Sequence, residues 1–175
     1  LTEAVKKLKT GPGFTEGVNQ GPLINQDALN KVERLVADAK AKGAKVLVGG
    51  ARHELGGTFY QPSVITDATP DMAVAQEEIF GPVAVLFRFK DESEAIKLAN
   101  DTPYGLAAYF YSRDIGRVWR VAEQLHYGIV GINEGLISTA EAPFGGMKES
   151  GMGREGSKYG VDSFVEIKYL CLGGI

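Results

Sequence analysis

Two adjacent carboxylates stand beside an aromatic ring and a tight turn in this sequence. The segment is Glu77-Glu78-Ile79-Phe80-Gly81-Pro82, and it lies at the entrance of a predicted strand. A carboxylate there can accept hydrogen bonds from the hydroxyl groups of a ligand, while the ring covers a flat face of that ligand. Neighbouring acids with no further context are more often simply solvated. The position before a strand favours a site for a nucleoside-like ligand.

Other residues that can do chemistry are sparse. His53 and His126 are far apart and have no acid at metal-ligand spacing, so a metal site or a Ser-His-Asp relay has little support. The single cysteine, Cys171, has no base or helix N-terminus beside it and is predicted to be a packing residue. We therefore expect no metal site and no catalytic residue in this chain.

Residues 151–156 match the G-x-G-x-x-G dinucleotide pattern. That pattern requires a strand that ends just before it and a helix that begins inside it. Here a loop precedes the glycines, and a short polar stretch and a strand follow them. A dinucleotide site in this loop is therefore disfavoured, and an independent nucleotide-binding protein that uses the loop is a minor hypothesis.

The composition restricts the class of protein. The chain has 175 residues, a net charge of −3 and 44% hydrophobic residues, which is typical of a globular protein with one sizeable core. Without a basic block, we expect neither nucleic acid nor membrane as a partner. No apolar run approaches the roughly 18 residues of a membrane span, and a lone cysteine requires no oxidising compartment. We expect a cytoplasmic protein, or a mitochondrial-matrix protein in a eukaryote.

Hydrophobic periodicity predicts alternating helices and strands. The main predicted helices are 27–42, 92–100 and 115–125, and the predicted strands are 45–48, 59–66, 83–89, 106–111, 129–132 and 164–172. Continuous apolar strands with helices between them are typical of parallel strands joined by right-handed βαβ crossovers. We predict an α/β fold with an open, mostly parallel sheet.

The two ends of the chain are informative. Leu1, Ala4, Val5 and Leu8 have helical spacing, yet no Met or capping residue precedes them. We interpret the chain as the C-terminal piece of a longer protein; a removed tag or a processed leader is the alternative. At the other end, the alternating strand 164–172 can pair with the sheet of another subunit or lie at the edge of its own sheet.

Two motifs together resemble the aldehyde dehydrogenase superfamily. They are residues 77–82 and the segment PFGGMKESGMGRE at 143–155, and with the elements between them the resemblance covers essentially all 175 residues. Residues 133–138 and 156–171 are more similar to the branch that oxidises succinate semialdehyde to succinate, a reaction of 4-aminobutyrate degradation. The resemblance implies NAD or NADP as the cofactor, a small aldehyde as the substrate and a homodimer or homotetramer as the assembly.

The resemblance also implies a mechanism and roles for four residues. A cysteine thiolate attacks the aldehyde, hydride passes to the nicotinamide, and a glutamate activates the water that hydrolyses the thioester. That cysteine and glutamate are expected upstream, in the N-terminal remainder of the same enzyme, so this chain alone is expected to be inactive. Glu78 matches the carboxylate that binds the nicotinamide ribose, and Phe80 the ring at the nicotinamide end. Ser138 matches a hydroxyl that binds the distal carboxylate of the substrate, and Phe144 a wall of the substrate tunnel.

The resemblance divides the chain into three parts. Residues 1–133 are expected to form the C-terminal part of the catalytic α/β domain, 134–160 a glycine-rich substrate-site loop, and 161–175 an oligomerisation tail. Two alternatives stay open. The chain can be a non-catalytic oligomerisation or regulatory module of the same family, and Ser138 can be a loop serine that is hydrogen-bonded to its own backbone.

Overall fold

The computed structural model describes residues 1–174 and divides into two compact units. Unit 1 is Leu1–Arg88, and unit 2 begins at Phe89. The boundary falls inside the region 1–133 that was predicted as one domain part. Unit 1 contains α1 (Thr2–Val5), α2 (Gln26–Ala41), β1 (Lys45–Val48), β2 (Ser63–Ala68), α3 (Ala73–Gln76) and β3 (Val83–Phe87). Unit 2 contains α4 (Glu92–Asn100), β4 (Tyr104–Gly105), β5 (Ala107–Phe110), α5 (Ile115–Gln124), β6 (Ile129–Ile132), β7 (Met147–Lys148) and a 3₁₀ helix (Tyr159–Phe164).

Helix α2 organises unit 1. Its N-terminus is capped by Asn25, whose side chain accepts a hydrogen bond from the Ala28 backbone N–H. The chain leaves the helix through Gly43, which has a φ of 98° that favours glycine. The predicted helix 27–42 is therefore confirmed to within one residue at each end. The helix buries one apolar face, which consists of Leu29, Val32, Leu35, Val36 and Ala39.

The buried face of α2 packs against a three-stranded sheet and the loops that connect its strands. Strand β2 is central; β1 pairs with it antiparallel and β3 pairs with it parallel. Tyr60, Ile65 and Met72 are almost fully buried in the same cluster as the helix residues. Burial of this apolar surface is the main force that stabilises unit 1.

Unit 2 is built on short elements. Strands β5 and β6 are parallel and are joined through α5, which confirms one predicted βαβ crossover. Strands β4 and β7 form a separate antiparallel pair. Asp91 and Asp114 cap α4 and α5, and each carboxylate accepts a hydrogen bond from a backbone N–H of the first turn. None of the helices within residues 1–174 is long and apolar enough to cross a membrane.

The predicted sheet arrangement is only partly confirmed. The fold is α/β, but the described strands form three small sheets of three, two and two strands, and two of the four pairings are antiparallel. The reason is that an apolar run indicates a buried strand without specifying its neighbour or its direction. The apolar pattern therefore did not determine whether the strands form a single open, mostly parallel sheet.

The predicted strand 164–172 is not confirmed in the residues that the structure describes. Phe164 ends the 3₁₀ helix, and residues 165–174 form neither helix nor strand. Ile167 and Tyr169 are 100% and 84% exposed. A strand requires a neighbour for its backbone hydrogen bonds, and alternation alone does not supply one. Ile175, the last residue of the predicted tail, lies outside the described residues.

A cluster of ion pairs joins the two helices α4 and α5 of unit 2. Glu92 on α4 accepts hydrogen bonds from Arg117 at 2.8 Å and from Arg120 at 2.6 Å and 3.0 Å, both on α5. The two hydrogen bonds from Arg120, and then the one from Arg117, lower the pKa of Glu92 from 4.5 to about 2.

We expect Glu92→Gln to lower the melting temperature of the chain in a pH-dependent way. Because the pKa is lower in the folded state, the stabilisation is complete above the ordinary value of 4.5 and is lost as the pH falls toward about 2. Thermal unfolding of both proteins between pH 7 and pH 2 measures this difference. Glu123→Gln on α5 is the matched control, and a difference that does not shrink at low pH would contradict the assignment.

Candidate functional site

The turn between α3 and β3 carries the acidic and aromatic residues that the sequence singled out. Helix α3 ends where the Glu77 backbone N–H donates to the Ala73 carbonyl at 2.9 Å. The Glu77 side chain accepts two hydrogen bonds from the Arg34 guanidinium, at 3.0 Å and 2.6 Å. These hydrogen bonds lower the pKa of the Glu77 carboxyl. Glu77 is therefore committed to an internal partner.

Glu78 and Phe80 point away from the protein on the same turn. Glu78 is exposed, and among residues 1–174 its carboxylate makes no hydrogen bond or ion pair. Phe80 is 74% exposed and has a φ of 49°, in the left-handed region that a bulky residue rarely adopts. Such a conformation persists only where the surrounding structure imposes it. The turn thus presents a free carboxylate and an exposed ring two residues apart.

The turn is held against the core at Gly81. A Cβ atom there would lie 2.5 Å from Cγ2 of Val32 on α2, so only glycine fits without a shift. The carbonyl of Pro82 accepts a hydrogen bond from the Ser63 backbone N–H at 2.8 Å, which joins the turn to β2. Contacts with α2 and β2 therefore fix the path of the chain just after Phe80.

In unit 2, Ser138 and Phe144 line the same hollow. Its volume is about 400 Å³, and its other lining residues are Thr139, Ala140, Glu155 and Gly156. The Ser138 hydroxyl makes no hydrogen bond within the described residues, so the backbone-bonded alternative is not observed. An exposed hydroxyl and an aromatic wall can together receive a small polar molecule.

The glycine-rich loop around this hollow is held by its own backbone. Phe144 and Glu155 exchange two backbone hydrogen bonds, of 2.9 Å and 2.7 Å. Arg154 donates through Nη1 to the carbonyls of Gly146 at 2.7 Å and Gly153 at 2.9 Å. A Cβ atom on Gly145 would lie 2.3 Å from the Gly153 carbonyl oxygen. The loop closes this tightly because glycine stands at the point of contact.

Two residues that hold the entry to this loop were missed by sequence reasoning. The Asn133 side chain accepts from the Ser112 backbone N–H at 2.8 Å and donates to the Ser112 carbonyl at 2.7 Å. Asn133 itself has a φ of 57°, which asparagine tolerates better than most residues. Glu134 follows and accepts backbone hydrogen bonds from Leu136 and Gly135, which lower its pKa. The Asn-Glu-Gly sequence is typical of a turn and was the available signal.

The other residues that the sequence singled out are residues 151–156, the potential metal ligands and Cys171. Residues 151–156 contain no helix, because Glu155 pairs with Phe144 instead, and the only strand just before them is the two-residue β7, which pairs with β4. No cluster of three or more potential metal ligands occurs within residues 1–174. Cys171 was predicted to be a packing residue, and this is not confirmed, because its side chain is exposed on the tail of this chain.

The four predicted site residues thus form two pairs. Glu78 and Phe80 share one turn in unit 1, and Ser138 and Phe144 share one hollow in unit 2. Residues 1–170 match the family model described as "Aldehyde dehydrogenase family". The chain belongs to this family.

Several relatives are closely similar to this member of the family. It is 61% identical over 173 residues to "Succinate-semialdehyde dehydrogenase, mitochondrial" of Arabidopsis thaliana and 59% identical over 175 residues to "Glutarate-semialdehyde dehydrogenase" of Pseudomonas aeruginosa. These alignments cover 99% and 100% of this chain but 33% and 36% of the relatives. The chain therefore spans about a third of the length of these relatives.

Solved structures agree with the family assignment. The crystal structure of succinate-semialdehyde dehydrogenase from Burkholderia pseudomallei is 63% identical, with a TM-score of 0.95 over 98% of this chain and 36% of that one. Betaine aldehyde dehydrogenase from Staphylococcus aureus in complex with NAD⁺ is 45% identical, with a TM-score of 0.89 over 94% of this chain and 33% of that one. The α/β fold of this dehydrogenase family is thereby shown.

One prediction about the position of the chain needs correction. The comparisons assign the matched segment to the N-terminal third of the succinate-semialdehyde dehydrogenases, and on that finding the predicted C-terminal placement is wrong. The prediction depended on an uncapped first helix and on the lack of a local nucleophile. Neither feature fixes the position of a segment within a longer chain, and the observed α1 is only four residues long.

We expect Gly145→Ala to open the glycine-rich loop. The added methyl group would overlap the Gly153 carbonyl, and such overpacking costs about 1–3 kcal/mol. Hydrogen exchange of the Phe144 and Glu155 amides measures the loss of their pairing. Gly153→Ala is the matched control, because a Cβ atom there meets nothing within 4 Å. Equal exchange rates in the two variants would contradict the role of the close contact.

Proposed function

We propose that the chain supplies cofactor and substrate contacts to an NAD(P)-dependent aldehyde dehydrogenase that oxidises succinate semialdehyde to succinate. The observation that carries this proposal is the free Ser138 hydroxyl in the same hollow as the Phe144 ring. The names of the two relatives above support it, since succinate semialdehyde and glutarate semialdehyde both carry a carboxylate distal to the aldehyde. A hydroxyl is a donor for such a group, whereas an uncharged aldehyde gains nothing from it.

Recognition of the substrate carboxylate is divided between this chain and other residues. None of the residues that line the Ser138 hollow is a cation, and one of them, Glu155, is acidic. The Arg154 guanidinium, nearby in the sequence, is committed to backbone carbonyls. We infer that Ser138 contributes one hydrogen bond and that the compensating positive charge comes from outside this hollow. Phe144 then provides an apolar wall for the carbon chain of the substrate.

The turn of residues 77–82, here called the acidic turn, fits the nicotinamide ribose of NAD or NADP. The Glu78 carboxylate has no competing partner among the described residues, so both oxygens can accept from the two ribose hydroxyls. The exposed ring of Phe80 can cover a flat face beside it. When bound, the cofactor accepts a hydride from the aldehyde carbon. Both NAD and NADP carry this ribose unmodified, so Glu78 serves either one.

The remaining parts of the chain have proposed roles as well. Residues 134–160 act as the substrate-site loop, and the tail from residue 161 onward joins subunits of a homodimer or homotetramer. The exposed alternating side chains of the tail, such as Ile167 and Tyr169, support this role because they gain burial against another sheet edge. Residues 1–133 then belong to the catalytic domain.

We expect Ser138→Ala to raise the KM for succinate semialdehyde by roughly 10- to 150-fold. This range corresponds to the loss of one hydrogen bond to a charged acceptor, about 1.5–3 kcal/mol. The term full-length enzyme is used here for the enzyme at the full length of its relatives. Steady-state kinetics of the full-length enzyme measures this change in KM. Butanal has the same carbon chain without the carboxylate, and its KM should not change. Ser138→Thr keeps the hydroxyl and is the matched variant; an equal effect on both aldehydes would refute the assignment.

We expect Glu78→Gln to weaken binding of NAD or NADP by roughly tenfold to a hundredfold. The substitution replaces a charged acceptor of the ribose hydroxyls with an amide and leaves the shape of the turn unchanged. Titration of the full-length enzyme with the reduced cofactor, followed by nucleotide fluorescence, gives the Kd. Glu54→Gln, at another exposed glutamate of unit 1, is the control. An unchanged Kd for Glu78→Gln would remove the ribose contact from the proposal.

A further inference from the structure

One side of helix α2 holds the segment that leads into the acidic turn. Arg34, Asp38 and Lys42 are spaced four residues apart, so they lie one above another on the helix. Lys42 donates through Nζ to the Asp71 carbonyl at 2.7 Å. Asp38 accepts from the Ala73 backbone N–H at 2.7 Å and forms an ion pair of 3.1 Å with Lys42. Arg34 completes the series with its two hydrogen bonds to Glu77.

The Arg34 contact gives the two adjacent glutamates different states. Both oxygens of Glu77 are occupied by the guanidinium, in the two-pronged geometry that arginine forms with carboxylates. Both oxygens of Glu78 are free of partners within the described residues. Without Arg34, Glu77 would be a second free acceptor directly beside Glu78, and the start of the turn would lose its side-chain anchor.

We propose that Arg34 is a positioning residue for the cofactor: it acts through Glu77 to hold the turn that presents Glu78 and Phe80. This inference rests on the proposed function of Glu78. The turn is then fixed at both ends, by Arg34 before Glu78 and by the Gly81 contact with Val32 after Phe80. Fixing both ends lowers the conformational freedom that cofactor binding would otherwise have to remove.

The ion pair is suited to local positioning rather than to global stability. The side chains of Arg34 and Glu77 are 55% and 43% exposed, and exposed pairs contribute little to the stability of a fold. Stability of unit 1 comes instead from the buried face of α2. Loss of Arg34 should therefore change the turn while the unit stays folded.

The test is cofactor affinity of Arg34→Gln in the full-length enzyme. We expect the Kd for the reduced cofactor to rise about tenfold, the KM for the aldehyde to stay within about twofold, and the melting temperature to fall by no more than a few degrees. Arg34→Lys should recover part of the affinity, because it restores the charge without the fork. The exchange of charges in Arg34→Glu with Glu77→Arg should restore more affinity than either single substitution leaves.

A second ion pair on the same helix provides the matched control. Arg52 donates to Glu33 of α2 through Nε and Nη2, both at 2.7 Å, so its guanidinium is paired with Glu33 and not with Glu77. Arg52→Gln should leave the Kd unchanged.

The outcomes separate the inference from the function on which it rests. If Glu78→Gln weakens cofactor binding and Arg34→Gln does not, the inference is overturned and the ribose contact stands. If Arg34→Gln and Arg52→Gln weaken binding equally, the effect is general to the helix surface and the inference is likewise overturned. If Glu78→Gln leaves the Kd unchanged, the ribose contact itself fails.

Discussion

The packing of helix α2 onto the sheet of unit 1 determines most of what surrounds the acidic turn. One face of the helix is buried against β2 and its neighbours, and this face includes Val32, which limits residue 81 to glycine. A second side of the helix carries the polar residues that bind the Asp71 carbonyl, the Ala73 backbone N–H and the Glu77 carboxylate. The same rigid element therefore supports the core and the proposed cofactor contact. A displacement of α2 would move both together.

Unit 2 achieves order by a different route. Within the described residues, no residue of α4 or α5 is buried, so apolar burial inside this chain contributes less to unit 2 than to unit 1. Close backbone contacts between glycines, such as Gly128 against the Gly145 carbonyl, hold its long loop instead. Capping carboxylates and the Glu92 ion pairs hold its helices. The Ser138 hollow thus depends on hydrogen bonds and steric fit, which are specific in direction and distance.

Elements with local signals were predictable, and contacts between distant positions were not. Helix α2 combines helical periodicity with a capping Asn25 and a terminal Gly43, and α4 and β6 were predicted with exact bounds. The strand predicted in the tail is not confirmed, because a strand is defined by a partner, which its own sequence does not specify. The Arg34–Glu77 contact joins positions 43 residues apart and leaves no trace in any local pattern. The roles of Glu78, Phe80, Ser138 and Phe144 were taken from family resemblance, because single exposed side chains have no periodicity to read.

The left-handed backbone at Phe80 has a consequence for how this turn can vary. Glycine would relieve the backbone strain at that position, yet it would remove the ring that is proposed to cover the ligand. A β-branched residue would be worse on both counts, because it tolerates the conformation least. Under the proposed role of the ring, thermostability and cofactor affinity therefore place opposite demands on this one residue. Selection for a more heat-resistant protein, applied without selection for activity, should therefore replace Phe80 at an early stage.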